Sequence, residues 1–183
     1  MNKRIPNKDE YQGQIRFTRE EIAKAIEDLG ARITKDYPNG VYLLINQKAS
    51  MLFVSDLIRA IDAEVDFEFL KIGSIQAQED ASPLLYLNES EDIILKGKDV
   101  IICTDIVRTG FTLHFLLNNL AAKNPMSLNI ATLLHNPEQQ LIPLEDLTYV
   151  GYETNYDSLC GYGMPYQGKG RQFPDIVQVI TEE

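Results

Sequence analysis

The stretch VIICTDIVRTGFTL, residues 100–113, constrains the fold most: a run of β-branched and small apolar residues ends on an acid, then turns through Thr-Gly-Phe-Thr into a helix. Val100, Ile101, Ile102 and Cys103 read as a strand buried on both faces, as in a parallel sheet covered by helices. Ligands of open α/β sheets bind at the carboxyl ends of such strands. Asp105 sits at that end. Beyond it, Thr109 and Thr112 supply hydroxyls, Gly110 lets backbone approach a ligand, and Phe111 contributes a backbone N–H of the free helix start; together these suit a phosphate dianion. The same residues also read as an ordinary strand-turn-helix with a Thr cap.

The rest of the chain extends this unit into an α/β fold, a parallel twisted sheet with flanking helices and a small C-terminal hood. Thr18 and Glu21 form a capping box, and Ile22, Ile26, Leu29 and Ile33 recur at helical spacing, which predicts a helix from Thr18 to Asp36. VYLLIN (41–46) reads as a buried strand, MLFVSDLIRAI (51–61) as a helix on the sheet, and FEFLKI from Phe67 as another strand. Residues 75–99 are polar and weakly periodic and read as a mobile loop, with a hairpin, able to act as a lid. A helix from Leu113 to Ala122 and a strand LNIATLL (128–134) follow. The last third carries short strands with Gly, Tyr and Pro. The expected division is a flexible arm at 1–15, a core α/β domain at 16–147 and a hood at 148–183.

A net charge of −10 and a pI near 4.7 leave no basic face for a nucleic acid, although a small anion needs only a few local donors. Cys103 and Cys160 lack metal-ligand spacing and read as buried free thiols of a reducing compartment. The N-terminal MNKRIPNKDEYQGQ has no apolar signal-peptide core, and no run is long enough to span a membrane. A cytoplasmic protein is expected.

Several segments in order resemble the type I phosphoribosyltransferases, and within them the hypoxanthine-guanine branch. Residues 100–113 look like that family's phosphate loop. QKAS (47–50) with the following LFVSDLIRAI looks like its pyrophosphate loop and helix, and FLKIGSI like the strand leading to its lid. The ending VGYETNYDSLCGYGMPYQGKGRQFPDIVQVI is similar to its purine-binding hood, with Gly161, Tyr162, Gly163, Tyr166 and Arg171 in matching places. The resemblance implies Mg-assisted transfer of a 5-phosphoribosyl group from phosphoribosyl pyrophosphate (PRPP) to a purine base, giving GMP or IMP and pyrophosphate. It also implies a homodimer or homotetramer formed through the helix after the pyrophosphate loop.

Carried over position by position, the resemblance implies a phosphate cradle of Arg108, Thr109, Gly110, Phe111 and Thr112. Lys48, Ala49 and Arg171 meet the pyrophosphate, Gln47, Lys48 and Ala49 standing where the family has a Leu-Lys-Gly-like turn. Asp105 serves ribose and metal, and Asn136, Ser158 and Leu159 border the purine. The departures fall where the chemistry belongs. Thr104 and Asp105 replace a pair of carboxylates, and Arg108 replaces the aspartate beside purine N7, a guanidinium in place of a general base. Asn136, next to His135, replaces the lysine that reads the 6-oxo group, Ser158 replaces the stacking aromatic, and Pro165 replaces a metal-binding aspartate. Tyr156 or Tyr162 is available to stack, and Asp157, Asp105 or His135 to accept a proton. Two readings remain: a divergent purine phosphoribosyltransferase, or a catalytically weak or inactive relative that binds a purine nucleotide or PRPP as a sensor or regulatory subunit.

Overall fold

The structure, a computed structural model, describes residues 15–75, 84–87 and 93–179. In chain order its elements are β1 (Ile15–Phe17), α1 (Arg19–Asp36), β2 (Val41–Ile45), α2 (Met51–Ala60), β3 (Val65–Phe69), β4 (Ile72–Ile75), β5 (Leu84–Leu87), β6 (Asp99–Val107), α3 (Phe111–Ala121), β7 (Ser127–His135), β8 (Leu147–Glu153), β9 (Leu159–Cys160) and β10 (Ile176–Gln178). The expected capping box starts α1: Glu21 N–H donates to Thr18 Oγ1 at 3.2 Å, and Thr18 N–H donates to Glu21 Oε2 at 2.8 Å.

Five strands form a parallel sheet in the order β3-β2-β6-β7-β8. β6 is buried on both faces, as its run of β-branched residues requires. Ile101 and Cys103 pack with α1 and α2, while Val100 and Ile102 pack with Leu113, Leu116 and Leu120 of α3. The chain leaves β2 through α2 toward β3, and leaves β6 through α3 in the opposite direction toward β7. The strand order therefore reverses between β2 and β6, and their carboxyl ends open a crevice where connections diverge to either side. No described helix is long and apolar enough to cross a membrane.

Two boundaries differ from the sequence reading. β8 pairs in parallel with β7, Thr132 opposite Val150, so the core sheet runs past residue 147 and the hood begins after Glu153. Its Gly and Tyr content disguises a core strand, because Gly151 lies against the Leu133 carbonyl, where a Cβ would sit 2.6 Å away. β1 also pairs with β10, which pairs with β9, so both ends of the described chain build one antiparallel hood sheet. Of the proposed arm, residues 1–14 lie outside the described residues. Most of the loop at 75–99 does too, but β4 and β5 pair as antiparallel strands there, Ile72 opposite Leu87.

Candidate active site

A cavity of about 690 Å³ occupies the crevice between the ends of β2 and β6, roofed by hood residues 157–159, 164–166 and Arg171. Three local structures build it: the β6–α3 turn, the β2–α2 turn and the hood loop.

The β6–α3 turn places Thr109, Gly110 and Thr112 on the cavity. Gly110 precedes the first residue of α3 at φ +86, and a Cβ there would meet the Ile142 carbonyl at 2.8 Å. A side chain fits neither the backbone nor the space. The Thr109 carbonyl accepts from the N–H groups of Leu141 and Ile142, fixing the loop against the β7–β8 connection. Phe111 projects an exposed ring and opens the helix, so its backbone is the part available to a ligand. Free N–H groups at a helix start beside two hydroxyls form an anion cradle.

Asp105 forms the floor, 6% exposed. Ser50, fully buried on the β2–α2 turn, holds it twice: Ser50 Oγ donates to Asp105 Oδ1 at 3.1 Å and accepts the Asp105 N–H at 3.1 Å. Thr104 Oγ1 adds a longer contact to the same carboxylate oxygen at 3.4 Å. Burial raises the Asp105 pKa above the usual carboxylate value, opposed by the Ser50 hydrogen bond and the charge of Arg108. Arg108 borders the cavity half-buried, and its guanidinium has no hydrogen bond or ion pair among the described residues. Asn46, 5% exposed at the end of β2, also borders the cavity. Its Oδ1 is the one buried side-chain polar atom without a hydrogen-bond partner among the described residues.

On the β2–α2 turn, Lys48 is exposed at the rim and Ala49 is buried beneath the hood. Gly163, at φ +90, packs so closely on this turn that a Cβ would lie 2.4 Å from the Ala49 carbonyl. Gly163 in turn carries Arg171: its N–H donates to the Arg171 carbonyl at 2.9 Å, and Arg171 Nη1 donates to the Gly163 carbonyl at 2.6 Å. The two cations expected at a pyrophosphate are thus brought to one wall from positions far apart in the chain.

The remaining wall carries Ser158 and Leu159, with Gln139 and Asp157, whose side chains hydrogen-bond to each other. Asn136 does not border the cavity. It is 1% exposed, and its Oδ1 accepts the Gln139 N–H at 3.3 Å as a cap on the short turn after β7. His135 Nε2 is engaged with Gln140 Oε1 at 2.7 Å. Tyr156 lies under the Arg16 guanidinium, and Tyr162 reaches Asp56 of α2, so neither borders the cavity. Tyr166 does. Sequence reasoning missed Asn46, Ser50 and Gln139. The available signal for Asn46 was a polar residue closing an apolar strand at the sheet's ligand-binding edge.

No three His, Cys, Asp or Glu side chains converge on a metal position among the described residues. Mg commonly binds through one or two carboxylates with substrate phosphate oxygens completing its shell, so Asp105 suits a metal that arrives with a phosphorylated ligand.

Residues 17–158 match the family model described as a phosphoribosyl transferase domain. A hypoxanthine-guanine phosphoribosyltransferase of Mycobacterium bovis is 34% identical over 176 residues, covering 91% of this chain and 87% of that protein. One from Dictyostelium discoideum is 32% identical, covering 92% and 96%. Among solved structures, a hypoxanthine phosphoribosyltransferase from Staphylococcus aureus superposes with a TM-score of 0.86 at 28% identity, over 97% of each chain.

Proposed function

The chain belongs to the phosphoribosyltransferase family, and we propose that its cavity transfers the 5-phosphoribosyl group of PRPP to a purine base, releasing pyrophosphate and a nucleoside monophosphate such as GMP or IMP. The observation that carries this reading is the convergence of an anion cradle, a buried carboxylate and two separate cations on one switch-point cavity.

Thr109, Gly110, Phe111 and Thr112 take the 5′-phosphate at the start of α3, which fixes the ribose over Asp105. Asp105, held by Ser50, faces the ribose hydroxyls and the positive charge that develops at C1′ as the leaving group departs. Lys48, the Ala49 backbone and Arg171 take the pyrophosphate, whose charge a guanidinium and an ammonium both match. Ser158 and Leu159 border the base. When bound, Mg would neutralise the diphosphate and make it a better leaving group, with Asp105 as its protein carboxylate. Ser158 offers no aromatic face, and base stacking contributes roughly 1 to 3 kcal/mol, so affinity for the base rests more on its edges.

The same reading places the protein in a reducing cytoplasm, where the buried thiols Cys103 and Cys160 stay unpaired. It also expects two or four copies associated through α2, whose Met51 is 53% exposed.

The test is pyrophosphate release from PRPP with hypoxanthine or guanine and Mg, alongside calorimetric titration with PRPP, GMP and IMP. Turnover lost in Thr112→Ala and Lys48→Ala supports transfer. Nucleotide binding without turnover on any base removes the transferase assignment and leaves a binding protein.

A further inference from the structure

Forming a bond from a neutral ring N–H to the ribosyl carbon releases a proton, which some group must take. The cavity is poor in such groups. No histidine borders it. Asp105 is buried, with Oδ1 bound by Ser50 and Thr104. Asp157 accepts a hydrogen bond from the Gln139 amide. What the cavity offers instead is Arg108, between the carboxyl end of β6 and the phosphate cradle, with no hydrogen bond or ion pair to any described residue. A guanidinium donates hydrogen bonds and accepts none, and it stays charged at neutral pH.

The 5′-phosphate has its own cradle on α3, and the pyrophosphate wall has Lys48 and Arg171. Arg108, which the resemblance puts at the edge of that cradle, is a third cation on the cavity, and the hydroxyls and helix-start N–H groups can hold the 5′-phosphate without it. Arg108 acts on Asp105 through its charge but makes no hydrogen bond or ion pair among the described residues, and a half-buried guanidinium with its donors unused suits an anion that completes it, since desolvating an unpaired charge is costly.

We propose that the nucleobase this cavity accepts is an anion, a base with an acidic ring N–H, and that Arg108 pairs with that charge and selects for it. This deepens the transferase reading and rests on it. In the step, a ring-nitrogen lone pair of the anionic base forms the N–C1′ bond. The bond from C1′ to the pyrophosphate oxygen breaks, its electron pair leaving with pyrophosphate. The hydrogen still carried by the attacking ring moves to the ring nitrogen that ionisation had stripped, so the neutral nucleotide base forms and no net proton has to be taken by the protein. The charged or titratable groups sharing the cavity with Arg108 are Asp105 of β6, Lys48 of the β2–α2 turn, and Asp157, Tyr166 and Arg171 of the hood.

Xanthine, whose ring ionises near neutrality, and hypoxanthine, which stays neutral there, are the probes. Pyrophosphate release is compared for the two below and above the ionisation of xanthine, and binding of XMP and IMP is measured on the same samples. Wild-type protein should favour xanthine, and XMP in binding, by about ten-fold or more once the ring is ionised, with the advantage collapsing on acidification. Arg108→Lys should keep the preference and Arg108→Asp should reverse it toward hypoxanthine and IMP. Equal or better use of hypoxanthine by the wild type, or a ratio that Arg108→Asp leaves unchanged, overturns the proposal; where no base turns over, the XMP to IMP binding ratio decides it alone. Failure of PRPP to bind wild-type protein at all is a different result, which removes the transferase reading itself.

Discussion

Ser50 and Asp105 hold each other through two hydrogen bonds, the Ser50 hydroxyl donating to one carboxylate oxygen and accepting the Asp105 backbone N–H, each at 3.1 Å. The pair ties the loop after β2 to the strand that carries the buried carboxylate, so two walls of the cavity share one anchor.

Ser50→Ala should therefore damage both walls. It leaves a buried N–H and a carboxylate oxygen short of a partner, which costs about 1 to 3 kcal/mol. Thermal unfolding should show the loss of stability, and PRPP should bind about ten-fold more weakly by calorimetry. Unchanged PRPP affinity would show that the anchor serves the fold alone.

Burial raises the Asp105 pKa, so between its ordinary unfolded value and its raised folded value the native state binds more protons than the unfolded one. Its contribution to stability is then greatest at acid pH and falls as pH rises through that window. Asp105→Asn keeps an oxygen for Ser50 to donate to and removes the buried charge. The variant should melt above wild type at neutral pH, the gap should close on acidification, and catalytic activity should fall by orders of magnitude. A gap that widens toward acid would reverse the sign of this reading.

Gly163→Ala should separate the hood from the β2–α2 turn, because its Cβ would fall 2.4 Å from the Ala49 carbonyl at a backbone conformation that also disfavours a side chain. Arg171 moves with Gly163, so the KM for PRPP should rise more than the KM for the base. Steady-state kinetics with each substrate varied in turn separates the two.

Gly110→Ala tests the phosphate cradle in the same way, since its Cβ would lie 2.8 Å from the Ile142 carbonyl and φ is +86. Affinity for ribose 5-phosphate should fall at least about ten-fold. Retained affinity, measured by calorimetry, would place the phosphate elsewhere.

Asn46→Leu replaces the buried amide whose oxygen has no partner. Exchanging an unsatisfied buried polar group for an apolar one of similar size should raise stability by about 1 kcal/mol, read as a higher melting temperature. A lower melting temperature would mean that the amide contributes to the fold.

The sequence by itself determined the parts of this protein that a short window contains. The double-faced burial of β6, the acid at its end, the glycine turn into α3 and the capping box of α1 all follow from hydrophobic period, backbone freedom and local hydrogen bonding. The resemblance carried by separated motifs extended this reading to the family and to Lys48, Ala49 and Arg171 on the cavity. Tertiary structure alone decided what joins distant segments. It set Ser50 on Asp105, turned Asn136 away into a cap, and laid Gly163 on Ala49. It also gave β8 to the parallel sheet and β1 to the hood, because strand assignment depends on which neighbour supplies the hydrogen bonds. The physical reason is range: turn chemistry and periodicity act within a few residues, whereas the direction a buried polar side chain faces is settled by partners that only the packed chain brings near.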